Sequence, residues 1–386
     1  MSELSFLEKL LDGVAVEWKP LAGGEDRLTE LKRGRVMSKG YLVENAGDYP
    51  VYSSQTANNG QIGKIKTFDF DGEYLTWTTD GANAGTVFYR RGKFSITNVC
   101  GIIRACEPNK LNCRYLYYWL SFNTKKHVYS GMGNPKLMSN QMAKVLIPIP
   151  CPDKPEKSLE IQKEIVRILD TFTELTTELT TELTNRKKQY NYYRDQLLTF
   201  EEGDVEWKTL GEVFKMRAGQ HIPARKIIDE ASNEHVYPCF GGNGIRGYVQ
   251  DKSHEGEYLL IGRQGALCGN VQRMKGQFYA TEHAVVVTPN KDINIDWAYH
   301  ILTLMNLNKY KSQSAQPGLA VGKLQGLKIP VPPIDEQTHT ASILDKFDTL
   351  THSISEGLPK EIELREKQYA YYRDLLFNFP KPVATA

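Results

Sequence analysis

The chain has 386 residues, too long for one compact domain, and its 40% hydrophobic and 24% charged residues exclude disordered or collagen-like material. Lysine and arginine number 48 against 46 acids, so a net charge of +2 selects no partner by itself. No stretch approaches the roughly 20 apolar residues of a membrane span, and the acidic start MSELSFLEKLLDG lacks the basic region of a signal peptide. With six cysteines showing no paired spacing, a soluble cytoplasmic protein with free thiols is expected.

Over 1–152, short β-branched and aromatic runs alternate with Gly/Asn/Asp turns. Tyr49-Pro-Val-Tyr52, Glu73-Tyr-Leu-Thr-Trp77 and Gly101-Ile-Ile-Arg104 are examples, and they predict a strand-rich globular part. A helix is expected over Cys113–Phe122. From Pro108 to Pro152 there are six basic residues and no acid, a local field for a polyanion. The exit Ile147-Pro-Ile-Pro-Cys-Pro152 cannot continue as helix.

Over 153–203 the pattern changes. Apolar residues at Ile161, Ile165, Ile168, Phe172, Leu175, Leu179 and Leu183 resume at Tyr190, Tyr193 and Leu197, a coiled-coil seam with one stutter. Glu160 to Phe200 would reach roughly 60 Å at 1.5 Å per residue. Within it, Thr173-Glu-Leu-Thr, Thr177-Glu-Leu-Thr and Thr181-Glu-Leu-Thr184 are three copies of one tetrapeptide. Threonine is a middling helix former, so the run is either slippage of a short DNA repeat or a device whose copy number sets rod length.

The same plan then returns: a globular part over 204–333 with a helix at Asp296–Met305, and a helical part over 334–386. Val16-Glu-Trp-Lys-Pro-Leu21 recurs as Val205-Glu-Trp-Lys-Thr-Leu210, and Ile168-Leu-Asp-Thr-Phe as Ile343-Leu-Asp-Lys-Phe. Lys188-Gln-Tyr-Asn-Tyr-Tyr-Arg-Asp recurs as Lys367-Gln-Tyr-Ala-Tyr-Tyr-Arg-Asp. Trp297 to Ile334 again holds four basic residues and no acid. The second seam is predicted at Ile343, Phe347, Leu350, Ile354, Leu358, Ile362, Tyr369 and Tyr372, interrupted or kinked at Gly357-Leu-Pro359. Each rod's natural partner is the other, paired antiparallel. The fold class is α+β: two repeated mixed α/β domains separated by two long antiparallel coiled-coil helices.

No catalytic constellation is found. Gly242-x-Gly244-x-x-Gly247 satisfies the dinucleotide fingerprint formally, but no helical pattern follows it. Asn134-Pro-Lys-Leu137 lacks the second proline and the aromatic of an adenine-methyltransferase motif. Pro152-Asp153 has no acid–x–lysine in register for a nuclease, and the eight histidines show no metal-ligand spacing.

The repeat plan, the two rods and the Lys-Gln-Tyr-x-Tyr-Tyr-Arg-Asp boxes closely resemble the specificity (S) subunit of type I restriction-modification enzymes. The tetrapeptide run and Leu4-Ser-Phe-Leu-Glu-Lys-Leu-Leu-Asp-Gly13 point to the type IC group. The resemblance implies that each globular part is a target-recognition domain reading one half of a bipartite double-stranded DNA sequence, with the helices as spacer. It implies no catalysis and no cofactor in this chain. Two methyltransferase (M) subunits would bring S-adenosylmethionine, and restriction/translocase (R) subunits would use ATP and Mg. Docking of M is implied for Ser5–Leu21, Ile161–Phe200 and Thr340–Phe379. No membrane is involved.

Side chains suited to base edges on Gly-rich loops are Ser53, Ser54, Gln55, Asn58, Thr78, Thr79, Asp80 and Asn83 in the first domain. In the second they are Gly242, Asn243, Arg246, Arg263, Gln264 and Gln316. Lys125, Lys126, Lys136, Lys309, Lys311 and Lys323 suit phosphates. Differing loops predict differing half-sites. The alternative is a coiled-coil protein-interaction scaffold that never touches DNA, against which the two acid-free basic stretches argue.

Overall fold

The computed structural model describes residues 6–11, 13–23, 27–130, 133–201, 203–313 and 317–380. Two compact units divide the chain: Met1–Glu178 with Glu363–Ala386, and Leu179–Ile362.

The first unit opens with α1 (Phe6–Leu11) and carries strands β1 (Val16–Pro20), β2 (Thr29–Arg33), β3 (Ala46–Tyr52), β4 (Gln61–Ile65), β5 (Phe70–Thr78), β6 (Val87–Ile96), β7 (Cys100–Ala105) and β8 (Leu146–Pro150). Helices α2 (Lys39–Glu44), α3 (Cys113–Asn123) and α4 (Ser139–Met142) interrupt them, and α5 (Pro155–Leu198) follows. A six-stranded sheet has the order β2-β7-β5-β6-β3-β4, antiparallel except where β3 meets β6. Separately, β1 pairs with β8, Trp18 opposite Pro148. The proline-rich exit is therefore a strand of a two-stranded ribbon, where a missing N–H is tolerated. One face of the sheet buries Leu75, Trp77 and Ile103 against Tyr115, Leu116 and Leu120 of α3, in a core that also takes Ile161, Ile165 and Leu169 of α5 and Phe377 and Phe379 of the C-terminal segment.

The second unit repeats the strand plan one for one, with one short α-helix added and none in the place of α2. It contains β9 (Glu206–Thr209), α6 (Leu210–Val213), β10 (Phe214–Ala218), β11 (Tyr237–Gly241), β12 (Gly244–Val249), β13 (His254–Gly262), β14 (Val271–Ala280), β15 (Ala284–Pro289), α7 (Ile295–Leu304), α8 (Val321–Gln325) and β16 (Lys328–Val331). Its sheet runs β10-β15-β13-β14-β11-β12, with β11 parallel to β14, and β9 pairs with β16. Both core helices open on an asparagine cap: Asn112 accepts from the backbone of Arg114 and Tyr115, Asn294 from that of Asp296 and Trp297. The glycine fingerprint Gly242–Gly247 lies in the β11–β12 hairpin, which has no helix to receive a dinucleotide phosphate.

The first rod, α5, is one uninterrupted helix, and at 1.5 Å per residue its 44 residues span about 66 Å. The second is broken into α9 (Ile334–His352) and α10 (Gly357–Leu376). Gly357 sits at φ +76°, where a Cβ would come 2.4 Å from the Thr349 carbonyl oxygen, so glycine is required at this joint. Ile354 falls in the break and is 85% exposed, which removes it from the predicted seam. Within the first unit Phe172 of α5 stacks on Tyr372 of α10 at 5.2 Å. Within the second, Tyr193 stacks on Phe347 while Tyr190 meets His352, the order of an antiparallel pair. Near the domains Leu169, Leu198 and Leu344 are buried, and the seam residues Ile168, Leu197 and Ile343 only partly so. There the rods pack on the domain cores as well as on a helix partner, which turns the buried stripe by one residue.

All six cysteines are free thiols. Among the described residues no helix is long and apolar enough to cross a membrane, and no group of three His, Cys, Asp or Glu could hold a metal ion.

Candidate nucleic-acid interface

In the first unit three segments meet at one end of the sheet: the β3–β4 loop (53–60), the β5–β6 loop (79–86), and Tyr129 with 135–137. Asn83 Nδ2 donates to Thr56 Oγ1 at 3.2 Å, joining the first two. Isolated bridges join Asp80 to Lys136 and Lys136 to Tyr129. Asp80, Asn83 and Lys136 are thus brought together with the loop holding Ser54, Gln55 and Asn58. Gln55 and Asn58 are exposed, and Asn58 has the left-handed φ of 49°. Ser53 lies lower, its hydroxyl 2.8 Å from that of Thr97.

Thr78 and Thr79 are fully buried. The Thr78 hydroxyl donates to the Asn83 carbonyl and accepts from Thr86 N–H. Thr79 Oγ1 donates to Asp80 at 2.5 Å and accepts from Arg33 Nη2 at 3.1 Å, and Arg33 lies 3.6 Å from the Asp80 carboxylate. These two threonines shape the loop from beneath.

The second unit has the same architecture with other side chains. Gly242, Asn243, Arg246, Gln264 and His283 line an open cavity of about 640 Å³ with the exposed Ile245 at its edge. Asn270 Nδ2 donates to Asn243 Oδ1 at 3.1 Å, the counterpart of the Asn83–Thr56 link, and Gln264 bridges Gly318 as Asp80 bridges Lys136. Arg263 is only half exposed, its Nε donating to the Leu319 carbonyl at 3.3 Å, so it braces the loop while Arg246 stands free in the cavity. Beside the cavity, burial pushes the Glu282 carboxyl up, but its bond to His221 at 2.9 Å and other contacts outweigh this and hold it below its ordinary value. Gln316 lies outside the described residues.

Basic turns are docked under these loops in both units. Thr124 Oγ1 donates to the Gly85 carbonyl at 2.7 Å, anchoring the turn of Lys125 and Lys126. Asn308 Nδ2 donates to the Cys268 carbonyl at 2.6 Å, anchoring that of Lys309 and Lys311. Lys125 and Lys309 are exposed. Lys126 Nζ donates to Asn123 and Lys311 Nζ to Asn308. Lys323 stands apart, on α8 against α6 and β10.

Each rod is clamped to its own domain by two residues eight apart, none of them among the predicted site residues. Buried Gln162 and Gln337 accept, at 2.8 and 2.9 Å, from the backbone N–H of the cap residues Asn112 and Asn294. Asp170 receives Arg114 and the Tyr118 hydroxyl, each at 2.5 Å, and Asp345 receives Arg273 and, at 2.8 Å, His300. Burial pushes Asp345 up, yet the bonds from His300 and Arg273 outweigh it and hold the carboxyl low. The shared Gln-x7-Asp spacing in 162–170 and 337–345 was the available signal.

The tyrosine boxes repeat their geometry too. Tyr192 and Tyr371 are both exposed, each edge-on to its neighbour at 5.4 Å, and Arg194 and Arg373 each pair with the following aspartate.

A family model described as type I restriction modification DNA specificity domain matches the chain twice, at residues 25–188 and 202–364. The EcoprrI specificity subunit of Escherichia coli is 52% identical over 92% of this chain and 93% of its own length. The EcoR124I/EcoR124II specificity subunit of the same organism is 40% identical over 99% of both chains. Among solved structures, the type I restriction-modification S subunit of M. genitalium superposes with a TM-score of 0.65 at 18% identity, covering 96% of this chain and 98% of that one.

Proposed function

The chain belongs to the family of type I restriction-modification DNA specificity subunits, the non-catalytic DNA-recognition components of these systems, and from that premise we propose a division of labour among its parts. Each globular unit reads one half of a bipartite, asymmetric double-stranded DNA target. The rods set the gap between the halves and dock two M subunits. S-adenosylmethionine is bound by the M partners, and ATP and Mg are used by the R partners. The observation carrying this reading is a sheet topology repeated strand for strand under loops of different chemistry. Two similar scaffolds with independent loops read two half-sites as a dimer does, and Asp80 and its counterpart Gln264 suit different bases. The exposed tyrosine–arginine–aspartate boxes, one per unit, support two equivalent M contacts.

The direct test is reconstitution. The purified chain with DNA and S-adenosylmethionine should transfer no methyl group, and addition of its M partner should restore adenine methylation. Transfer by the chain alone would overturn the division of labour.

Electrostatic and base-reading contacts separate by salt. Lys125→Ala with Lys126→Ala should weaken binding of the S–M complex to all sequences alike and flatten the log–log salt slope by roughly one to two. Arg246→Ala should leave that slope nearly unchanged and relax one base position of the second half-site by about 1–3 kcal/mol. A uniform loss from Arg246→Ala would make it a phosphate contact.

A further inference from the structure

Arg90 is the one arginine of the first sheet that is almost completely buried, 3% exposed, with no carboxylate among its contacts. Burial makes such a charge costly unless its donors are used. Two of them are used, one on the β3–β4 loop and one on β5. Nη2 donates to the Asn59 carbonyl at 2.7 Å and Nε to Thr76 Oγ1 at 3.2 Å, while the guanidinium lies 3.6 Å from the centre of the Tyr52 ring and 4.5 Å from that of Phe88. The flat fork thus ties strand β5 to the tip of a loop whose Asn58 and Asn59 both hold positive φ, 49° and 52°. Such a tip needs external support, because two successive left-handed non-glycine residues are unfavourable.

The second unit shows why the support sits here. Gly72 pairs with Gly92 as Gly256 pairs with Gly276, which makes Met274 the counterpart of Arg90. There the β11–β12 connection is only Gly242 and Asn243 and reaches no further than a tight turn. The cation occurs in the unit with the long loop and is replaced by an apolar side chain in the unit without one.

We propose that Arg90 is a positioning residue for DNA recognition: it touches no base, and it holds the loop of Gln55 and Asn58 in the one conformation that sets the preference of the first half-site. This rests on the proposed reading of that loop as a DNA contact.

The test uses the full chain assembled with its M partner and methylome sequencing, with Arg90→Met and Arg90→Lys beside Gln55→Ala and Asn58→Ala. Arg90→Met keeps the side chain's bulk between Tyr52 and Phe88 but removes both hydrogen bonds. Methylation of sites carrying one mismatch in the first half should rise about tenfold relative to the cognate site, with the second half unchanged. The salt slope should also be unchanged, which general unfolding of the domain would not allow. Arg90→Lys, which cannot form the fork, should give the same relaxation in part, and it carries the test if the methionine variant does not fold. Full first-half discrimination in both Arg90 variants that fold, while Gln55→Ala or Asn58→Ala alters it, overturns the positioning role alone. If the loop variants also leave the first half intact, the loop is no reader and the assignment beneath the proposal falls.

Discussion

A chain in which Gly211–Pro330 is replaced by the equivalent domain of a relative should direct methylation to a target with one new half and one old half. The exchange takes out most of α6 through most of β16, including every strand of the second six-stranded sheet. It leaves the rod residues Gln162, Asp170 and Tyr190–Asp195 in place. The expected effect is all-or-none at the exchanged half, because several base contacts, each worth about 1–3 kcal/mol, are replaced together. The junctions matter. The graft must supply the helix cap that Gln337 accepts from and the partners that Asp345 receives, since buried Gln337 and half-buried Asp345 would otherwise lose their hydrogen-bond and ion-pair partners together. Methylome sequencing reads the result, and a change in both halves would defeat the two-reader model.

Deletion of one tetrapeptide, Thr177 to Thr180, should give a folded, active subunit whose half-sites are unchanged and whose gap is shorter. Four residues remove about 6 Å of helix and roughly 400° of rotation, one turn plus about 40°. The uninterrupted α5 makes this arithmetic apply. The local contacts survive as well. Thr173, Thr176, Thr177 and Thr184 each donate a hydroxyl to the carbonyl four residues earlier, and Arg186 pairs with Glu182 at the same spacing. A four-residue excision returns each such pair to an equivalent one, and the half-buried Leu175, Leu179 and Leu183 shift by one place along a single stripe. Removing two or three residues would turn the far stripe away and should abolish folding or M docking. The expected change in gap is one base pair, about 3.4 Å, and bending of protein or DNA takes up the rest. An unchanged gap in an active enzyme would mark the repeat as slippage without consequence.

Most of the architecture was legible in the sequence because it is written in local periodicity and in repetition. Two matched series of short motifs predicted two matched units, and the sheet orders agree strand for strand. The 3.5-residue spacing predicted α5, although the helix starts at Pro155, before the first seam residue. The glycine–proline pair predicted the interruption now seen between α9 and α10.

What sequence could not decide was pairing at long range. The Val-Glu-Trp-Lys motifs and the proline-rich exits were both visible, yet only the folded chain lays Trp18 beside Pro148 and Trp207 beside Pro330. The same limit governs the candidate interface. Residue type made Thr78, Thr79 and Arg263 look like base readers, whereas packing at the strand-to-loop junctions buries the two threonines and a hydrogen bond holds the arginine on the Leu319 carbonyl. Arg90 carried no signal at all, since its role depends on β3 lying parallel to β6 and bringing a distant loop over its guanidinium. Local spacing determines which segments become helix or strand. Whether a polar side chain faces solvent or supports a loop depends on which distant strand lies beside it, and that is settled only when the sheets and cores pack.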